Sequence, residues 1–485
     1  MMRRLPSLLV TAVVTLVTCL APAGHAATGE TAGPTRDRAV VLETAPRRPV
    51  AAVIDEYVKQ GLASNLALQS ADLEVERGQA ALDAARARFF PEATLVARYT
   101  RAEGGREISL PLSGAFNPVY LTLNELLRAS GQPARFGTIT DPQFTLVRPR
   151  EQDTRITLRQ PVYAPAIPAA VRAQRAAFEA SDYARHALAA RLRRDITVAY
   201  VDWSRSARAA DIVAASRGLL AENLRITESL YRNGKLTEDQ VLRARAELYA
   251  LDQQVLETRN TRDQVQSYLN FLLNRPLDTA LEMSDVDGEI ARTDADLAKL
   301  RSAAVAQRPE LAQIDRAVNA ADARRDLARA ARLPTLALAV DGGTQGEAYE
   351  FGRGRNFSTM SLLLNWTLFD GGARRADERN ADLAGRQARN QRDQLALQIE
   401  LEVQQALDRL RTSSATLQTA TARAAAAQAA FRIATRKRDE GMLSQVEFLD
   451  ARTTLSAAEL NLNAVRYEVL ARQADLDYAT GEPRR

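Results

Sequence analysis

Two stretches of this chain are too long and too free of helix breakers to be anything but very long helices. Ala169 to Asn233 contains no Pro and one Gly, Gly218; Ala373 to Glu440 contains no Pro and one Gly, Gly385. At ~1.5 Å per residue each helix spans about 100 Å. Helices of that length need a continuous apolar seam against a neighbour, because local propensity alone does not hold them. The seam is visible just beyond each stretch. Val241, Ala244, Leu248, Leu251 and Val255 recur at 3-4-3-4 spacing, and Phe448, Ala451, Leu455 and Ala458 continue the same pattern. Ala-rich runs such as 424–427 let neighbouring helices approach closely.

The two stretches belong to two copies of one unit. Ala85-Arg86-Ala87-Arg88-Phe89-Phe90-Pro91 matches Ala328-Arg329-Ala330-Ala331-Arg332-Leu333-Pro334 at an offset of 243. Leu158-Arg159-Gln160-Pro161-Val162-Tyr163 matches Leu364-Asn365-Trp366-Thr367-Leu368-Phe369 at 206, and Gly234-Lys235-Leu236 matches Gly441-Met442-Leu443 at 207. The drop in offset puts an insertion of about 37 residues in the first copy, between Pro91 and Gln160. Within each copy a helix ends at a Pro, and two alternating segments follow, separated by a loop. Then come the long helix, a Gly turn and a second helix. The alternating segments are 93–100, 154–163, 335–340 and 360–369. In the last, Met360, Leu362, Leu364, Trp366 and Leu368 share one face, while Ser361, Asn365 and Thr367 share the other. Period-two alternation predicts strands apolar on one face and wet on the other, and the longer ones approach what a tilted strand needs to cross a membrane.

Composition narrows the chemistry. Aromatic residues are only 5%, which suits long helices better than sheets of many short strands. Residues 1–26 read as a secretory leader, with Arg3 and Arg4 ahead of an apolar run from Leu8 to Leu20 and a small-residue cleavage site at Gly24-His25-Ala26. A membrane anchor, or a lipoprotein acylated at Cys19, are the other readings of this segment. Cys19 is the one Cys, and His25 and His186 are the two His. Without the leader the chain keeps only His186, which excludes disulfide scaffolds, Cys/His zinc sites and Cys nucleophiles, and leaves Ser/His catalysis without support. No cofactor or metal is expected, and no phosphate-cradling or metalloprotease motif is present. The net charge of +5 is an Arg excess spread along the chain, with only Lys59, Lys235, Lys299 and Lys437 as lysines; export argues against nucleic acid as the partner.

Four strands in one chain do not close a barrel, and an open sheet in lipid leaves edge N–H and C=O groups unsatisfied at several kcal/mol each. Closure must come from several copies, and three give an even twelve strands. The leader, the doubled order of strands, long helix, Gly turn and helix, and the strand ends Gln160-Pro161-Val162-Tyr163 and Asn365-Trp366-Thr367-Leu368-Phe369 resemble the TolC-type outer-membrane efflux family. The resemblance covers roughly residues 50–482. It implies a mainly α fold with a β-barrel part: a homotrimer with a 12-stranded outer-membrane barrel and a periplasmic α-helical barrel. The domains are then a signal peptide (1–26), a linker (27–50), a first repeat (51–280, with a loop insertion at about 101–153) and a second repeat (281–482). The implied function is that of a passive exit duct, not an enzyme. It sits in the outer membrane of a Gram-negative cell and is fed by an inner-membrane pump of RND, ABC or MFS type through a periplasmic adaptor. The cargo is small toxic molecules or, alternatively, proteins of a type I secretion system. A periplasmic coiled-coil scaffold is the reading from a different class. Thr367 stands where the family often has Pro. The insertion, with Gly104-Gly105, Pro111, Pro118 and a helix-like 121–127, faces the cell exterior by position.

Two sets of residues stand out as functional candidates. Gly234 and Gly441 break otherwise continuous helices, as a tight reversal with positive φ requires. Leu236 and Leu443 follow them and are expected to lie exposed at the end of a rod, where apolar residues mark a docking surface. With Lys235, Met442 and the neighbouring Tyr231 they form the expected adaptor-docking tips. Glu447 and Asp450, three residues apart and so on one helix face, stand at the positions where the family has an acidic constriction. Three copies would make two acidic rings, raising their pKa values and favouring cations. The alternative is a solvated outer face. The first copy carries Gln240 and Arg243 at the equivalent places. Tyr163, Trp366 and Phe369 lie at strand–helix junctions, as an interfacial belt or as packing. His186 reads as solvated or structural.

Overall fold

The computed structural model describes residues 48–284, 296–350 and 352–481. The leader, Cys19, His25 and nearly all of the linker lie outside the described residues, as does 285–295, next to the expected repeat boundary.

In chain order the elements are α1 (Val50–Ser64), α2 (Leu66–Ala87), β1 (Glu92–Arg101), β2 (Glu107–Ser109), α3 (Leu112–Ala129), β3 (Gln143–Thr145), β4 (Arg150–Tyr163), α4 (Ala166–Arg232) and α5 (Glu238–Leu272). After these come α6 (Leu297–Gln307), α7 (Pro309–Ala330), β5 (Thr335–Gly346), β6 (Asn356–Asn365), α8 (Ala373–Asp439) and α9 (Gln445–Thr480). The duplication is complete at this level. α1, α2, β1, β4, α4 and α5 recur as α6, α7, β5, β6, α8 and α9; β2, α3 and β3 are the insertion. The two long helices have 67 residues each. Pro168 is accommodated in α4 because it falls in the first turn, where no intrahelical N–H bond is lost.

The strands differ from expectation at their ends. β5 runs to Gly346, six residues beyond the predicted end, because it stays paired with β4 past its last apolar residue. β6 ends at Asn365, not Phe369. Its partner β5 begins only at Thr335, after Pro334, so Trp366 to Phe369 have no strand to pair with. The insertion holds an 18-residue helix and a two-stranded ribbon where only a short helical turn was expected.

The main sheet has the order β1-β4-β5-β6, antiparallel throughout. One cross-strand row reads Ala93, Leu158, Val340, Met360, and the next reads Thr94, Thr157, Asp341, Thr359. Successive residues point to opposite faces, so the first row belongs to an apolar face and the second to a polar one. On the polar face Asp341 accepts from the hydroxyls of Thr157 (2.6 Å) and Thr359 (3.2 Å). The apolar face is left uncovered: Leu95, Ile156, Leu158, Met360, Leu362 and Leu364 are all exposed. Among the described residues, no strand pairs with the outer edges of β1 and β6.

The core lies along the helices. Val53, Ile54 and Tyr57 of α1 pack with Ile196 and Tyr200 of α4 and with Leu269 and Leu273 at the end of the first hairpin. Its counterpart joins Leu311 to Ile399, Val403 and Leu407 of α8 and Val469 and Leu476 of α9. Nearer the second turn the core thins to Leu455 with Ala424, Ala427 and Ala458, the small alanines bringing α8 and α9 close together. The abundant Arg residues lace neighbouring helices: Arg185 to Asp72 (2.7 Å), Arg194 to Asp475 (2.7 Å), Arg389 to Asp322 (3.0 Å), Arg392 to Asp315 (3.1 Å). Each such surface pair contributes little, ~0–1 kcal/mol, but together they fix the register of the helices. One pair is buried. Arg308, at the α6–α7 junction, bonds Glu310 (2.8 Å) and Glu402 (2.9 Å) and stacks over the Tyr478 ring at 4.7 Å.

Candidate functional site

Both helical hairpins reverse with the same backbone device. At the end of α4 the Gly234 amide donates to the Tyr231 carbonyl (2.9 Å) and the Lys235 amide to the Leu230 carbonyl (2.9 Å). At the end of α8, Gly441 donates to Arg438 (2.9 Å) and Met442 to Lys437 (2.8 Å). These paired bonds are the Schellman cap, which needs a left-handed residue at its pivot. Gly234 has φ +66° and Gly441 φ +71°.

The tips differ from expectation in which apolar residues they present. Leu236 and Leu443 are half-buried, because the chain reverses within a few residues and the antiparallel helices shelter them. Met442 (66% exposed), Val446 (50%) and Tyr231 (41%) are the outward apolar residues instead. Lys235 is exposed beside them. Behind the second tip Phe448 is buried against Phe431 (5.6 Å), with the Arg438 guanidinium 4.2 Å over its ring.

Glu447 and Asp450 are both exposed on the first turns of α9. Glu447 has a local task that the sequence analysis missed. With Ser444 it forms a capping box, each side chain bonding the other's backbone N–H. The Ser444 amide, and secondarily its hydroxyl, hold the Glu447 carboxyl below its ordinary value. In the single chain this is the opposite of the upward shift expected from packed acidic rings. The signal was legible as S-x-x-E over 444–447, whereas T-x-x-Q over 237–240 in the first copy forms no side-chain cap.

A second missed residue is Arg452. Its first-copy counterpart, Arg245, bonds Glu228 (2.9 Å), but the position equivalent to Glu228 is Thr435. Arg452 is therefore buried with no hydrogen-bond partner at Nε or Nη1, and burial lowers its pKa.

At the helix-side end of the sheet Phe89, Phe90, Tyr163, Trp366 and Phe369 are all exposed. The Trp366 indole donates to the Arg332 carbonyl (3.2 Å). His186 is half-exposed, 3.7 Å from Asp182. Among the described residues no cluster of His, Cys, Asp and Glu could hold a metal ion, and no helix is long and apolar enough to cross a membrane.

Residues 300–482 match the family described as outer membrane efflux protein. No curated protein matches the sequence. Solved structures share the fold over nearly the whole chain. The outer membrane channel CmeC of Campylobacter jejuni is similar with a TM-score of 0.74 at 17% identity, over 91% of this chain and 90% of that one. The outer membrane protein VceC of Vibrio cholerae gives 0.72 at 17%, over 89% and 96%. The outer-membrane channel OprN gives 0.72 at 18%, over 89% and 90%. The fold is that of these outer-membrane channels, and residues 300–482 carry the sequence pattern of the outer membrane efflux protein family. The matched family and the solved structures are outer-membrane proteins and channels.

Proposed function

We propose that this chain is one subunit of a homotrimeric exit duct in a tripartite export system, passing small toxic molecules delivered by an inner-membrane pump through a periplasmic adaptor. The observation that carries this reading is the sheet. Its rows are apolar on one face and polar on the other, its two edges are free among the described residues, and it is fused to two helical hairpins whose 67-residue arms span about 100 Å. Pairing β1 of one copy with β6 of the next satisfies every edge group and gives twelve strands, the apolar face toward lipid and Arg155, Thr157, Arg159 and Asp341 toward the lumen. The exposed aromatics at the helix-side end then form the inner interfacial belt. The scaffold alternative has no use for a two-faced sheet with an uncovered apolar side.

The duct does no chemistry and holds no cofactor. Its functional parts are the docking tips, Gly234, Lys235 and Leu236 with Gly441, Met442 and Leu443, and the periplasmic gate, Glu447 and Asp450. The Schellman caps hold the tips stiff, so that the exposed Met442, Val446 and Tyr231 stand ready for an adaptor. Asp450 is the freer of the two acids to line an aperture, since Glu447 is tied into its helix start.

The test is to crosslink cells, purify the protein from the outer membrane and identify what accompanies it. A drug-type pump with its adaptor supports the reading. A peptide- or protein-exporting ATPase moves the cargo to secreted proteins. Recovery from the periplasm without adaptor or pump refutes the duct.

A further inference from the structure

The insertion carries a surface that the duct reading leaves unused. α3 has two stripes of residues at 4-3-4-3 spacing, one residue out of step and so about 100° apart around the helix. The first stripe, Ser113, Asn117, Tyr120, Asn124 and Leu127, is half-buried beneath the returning chain 132–141. Asp141 Oδ1 accepts from the Ser113 amide (2.6 Å). The Asn117 side chain bonds both the amide (2.8 Å) and the carbonyl (2.9 Å) of Ile139. Seven residues on, Asn124 bonds the Phe136 amide (3.0 Å) and carbonyl (2.7 Å), and Tyr120 stacks on Phe136 at 5.2 Å between ring centres. These bonds lock the rotation of α3 about its own axis.

The second stripe is Leu112, Phe116, Val119, Leu123 and Leu126, each 36–63% exposed. It contains no charged or polar residue and is left exposed among the described residues, with Phe116 touching only its helix neighbour Tyr120 through a ring contact at 6.4 Å. A membrane-surface helix would carry Lys or Arg along its polar face. α3 has only Glu125 and Arg128, and its polar stripe is already occupied by its own chain. The 4-3-4-3 spacing is instead that of a seam meeting another helix. α3 is spliced between β4 and the edge strand β1, so the edge pairing that closes the barrel gathers one α3 per copy at its outer end.

We propose that the occupant of this seam is α3 of the other two copies, the three helices packing into a cap that narrows the outer mouth of the duct. The proposal rests on the trimeric duct reading. The test places a cysteine in the full-length protein by Leu123→Cys, on the seam, and by Glu125→Cys, off it, with the unsubstituted chain as blank. Outer-membrane vesicles are oxidised mildly, and the same preparation is weighed intact by native mass spectrometry. The cap predicts a trimer in which Leu123→Cys gives at least tenfold more crosslinked dimer than Glu125→Cys. A trimer whose Leu123→Cys variant stays uncrosslinked and reacts with an impermeant maleimide overturns the cap and leaves the duct standing. Equal crosslinking at both sites also overturns the seam. Absence of a trimer overturns cap and duct together.

Discussion

Ser444 and Glu447 close the first turn of α9 on each other. The Glu447 carboxylate accepts from the Ser444 amide at 3.0 Å and from its hydroxyl at 2.8 Å, while the Ser444 hydroxyl oxygen accepts from the Glu447 amide at 3.3 Å. The carboxylate is held ionised at the base of the second tip, and its freedom to face a pore is reduced. The proposed gating role and the rigidity of the tip thus meet in one residue, and they can be separated by isosteric substitution.

In planar bilayers, Asp450→Asn should lower the preference for cations more than Glu447→Gln does, since Gln also completes a capping box. Reversal potentials under a salt gradient give the comparison directly. Equal shifts would mean that Glu447 leaves its cap in the assembled channel. No shift from either variant would return both acids to the outer face.

The positive φ at the tips makes Gly234→Ala and Gly441→Ala each cost about 1–2 kcal/mol locally, because a Cβ is disfavoured in the left-handed region. The strain should appear as roughly tenfold faster hydrogen exchange at the amides of Lys235 and Met442, which donate to the helix ends. Unchanged exchange would show that the caps contribute no rigidity.

Charge at the outward tip residues should abolish export without disturbing the barrel. Tyr231→Asp with Met442→Asp is the direct test, because Leu236 and Leu443 are half-buried and their replacement also perturbs the turn. The double variant should still reach the outer membrane, with export reduced at least tenfold. Normal export would remove the tips from docking.

Burial works against the charge of Arg308, but Glu310 and Glu402 outweigh it and raise its pKa. Burial likewise opposes ionised Glu310, and Arg308 more than offsets this, so that carboxyl titrates below its ordinary value. The Tyr478 hydroxyl is pushed up to about 12, first by burial and then by Glu310. Arg308→Ala removes the guanidinium from Glu310, which keeps only the Tyr478 hydroxyl (2.9 Å), and from half-exposed Glu402, and should cost about 2 kcal/mol at neutral pH. A depressed carboxylate stabilises the fold above its unfolded pKa and loses that contribution as pH falls through its folded value. The difference in melting temperature between the wild type and Arg308→Ala should therefore shrink from pH 7 toward ~3. A difference independent of pH would contradict the ionic account.

The helices were legible in the sequence because Pro and Gly punctuate them. The second long helix was placed at Ala373 to Glu440 and is found at Ala373 to Asp439. The seam residues Val241, Ala244, Val255, Phe448, Leu455 and Ala458 are buried as their spacing requires. Strand ends were less legible, since pairing rather than alternation decides them. Gly342 and Gly343 end the apolar pattern of β5, yet the strand continues; a Cβ at Gly343 would run into the Thr154 carbonyl, so the close approach of β4 needs a glycine there. In the insertion only 121–127, beyond Pro118, read as helix-like, but α3 runs through Pro118, held by the bonds of Asn117, Asn124 and Asp141. The turns lie at Gly234 and Gly441 as the sequence indicates, with Tyr231, Lys235 and Met442 exposed, but Leu236 and Leu443 are half-buried. The turn folds Leu236 and Leu443 inward, and no local pattern signals that.

The central claim is that three copies close one barrel through β1 and β6. Cryo-electron microscopy of the protein purified from the outer membrane tests it most directly. The account predicts a three-fold particle in which β1 (Glu92–Arg101) of each copy hydrogen-bonds to β6 (Asn356–Asn365) of the next, with six helical hairpins extending from one end. A particle of any other symmetry, or a trimer in which these edges stay unpaired, would contradict it.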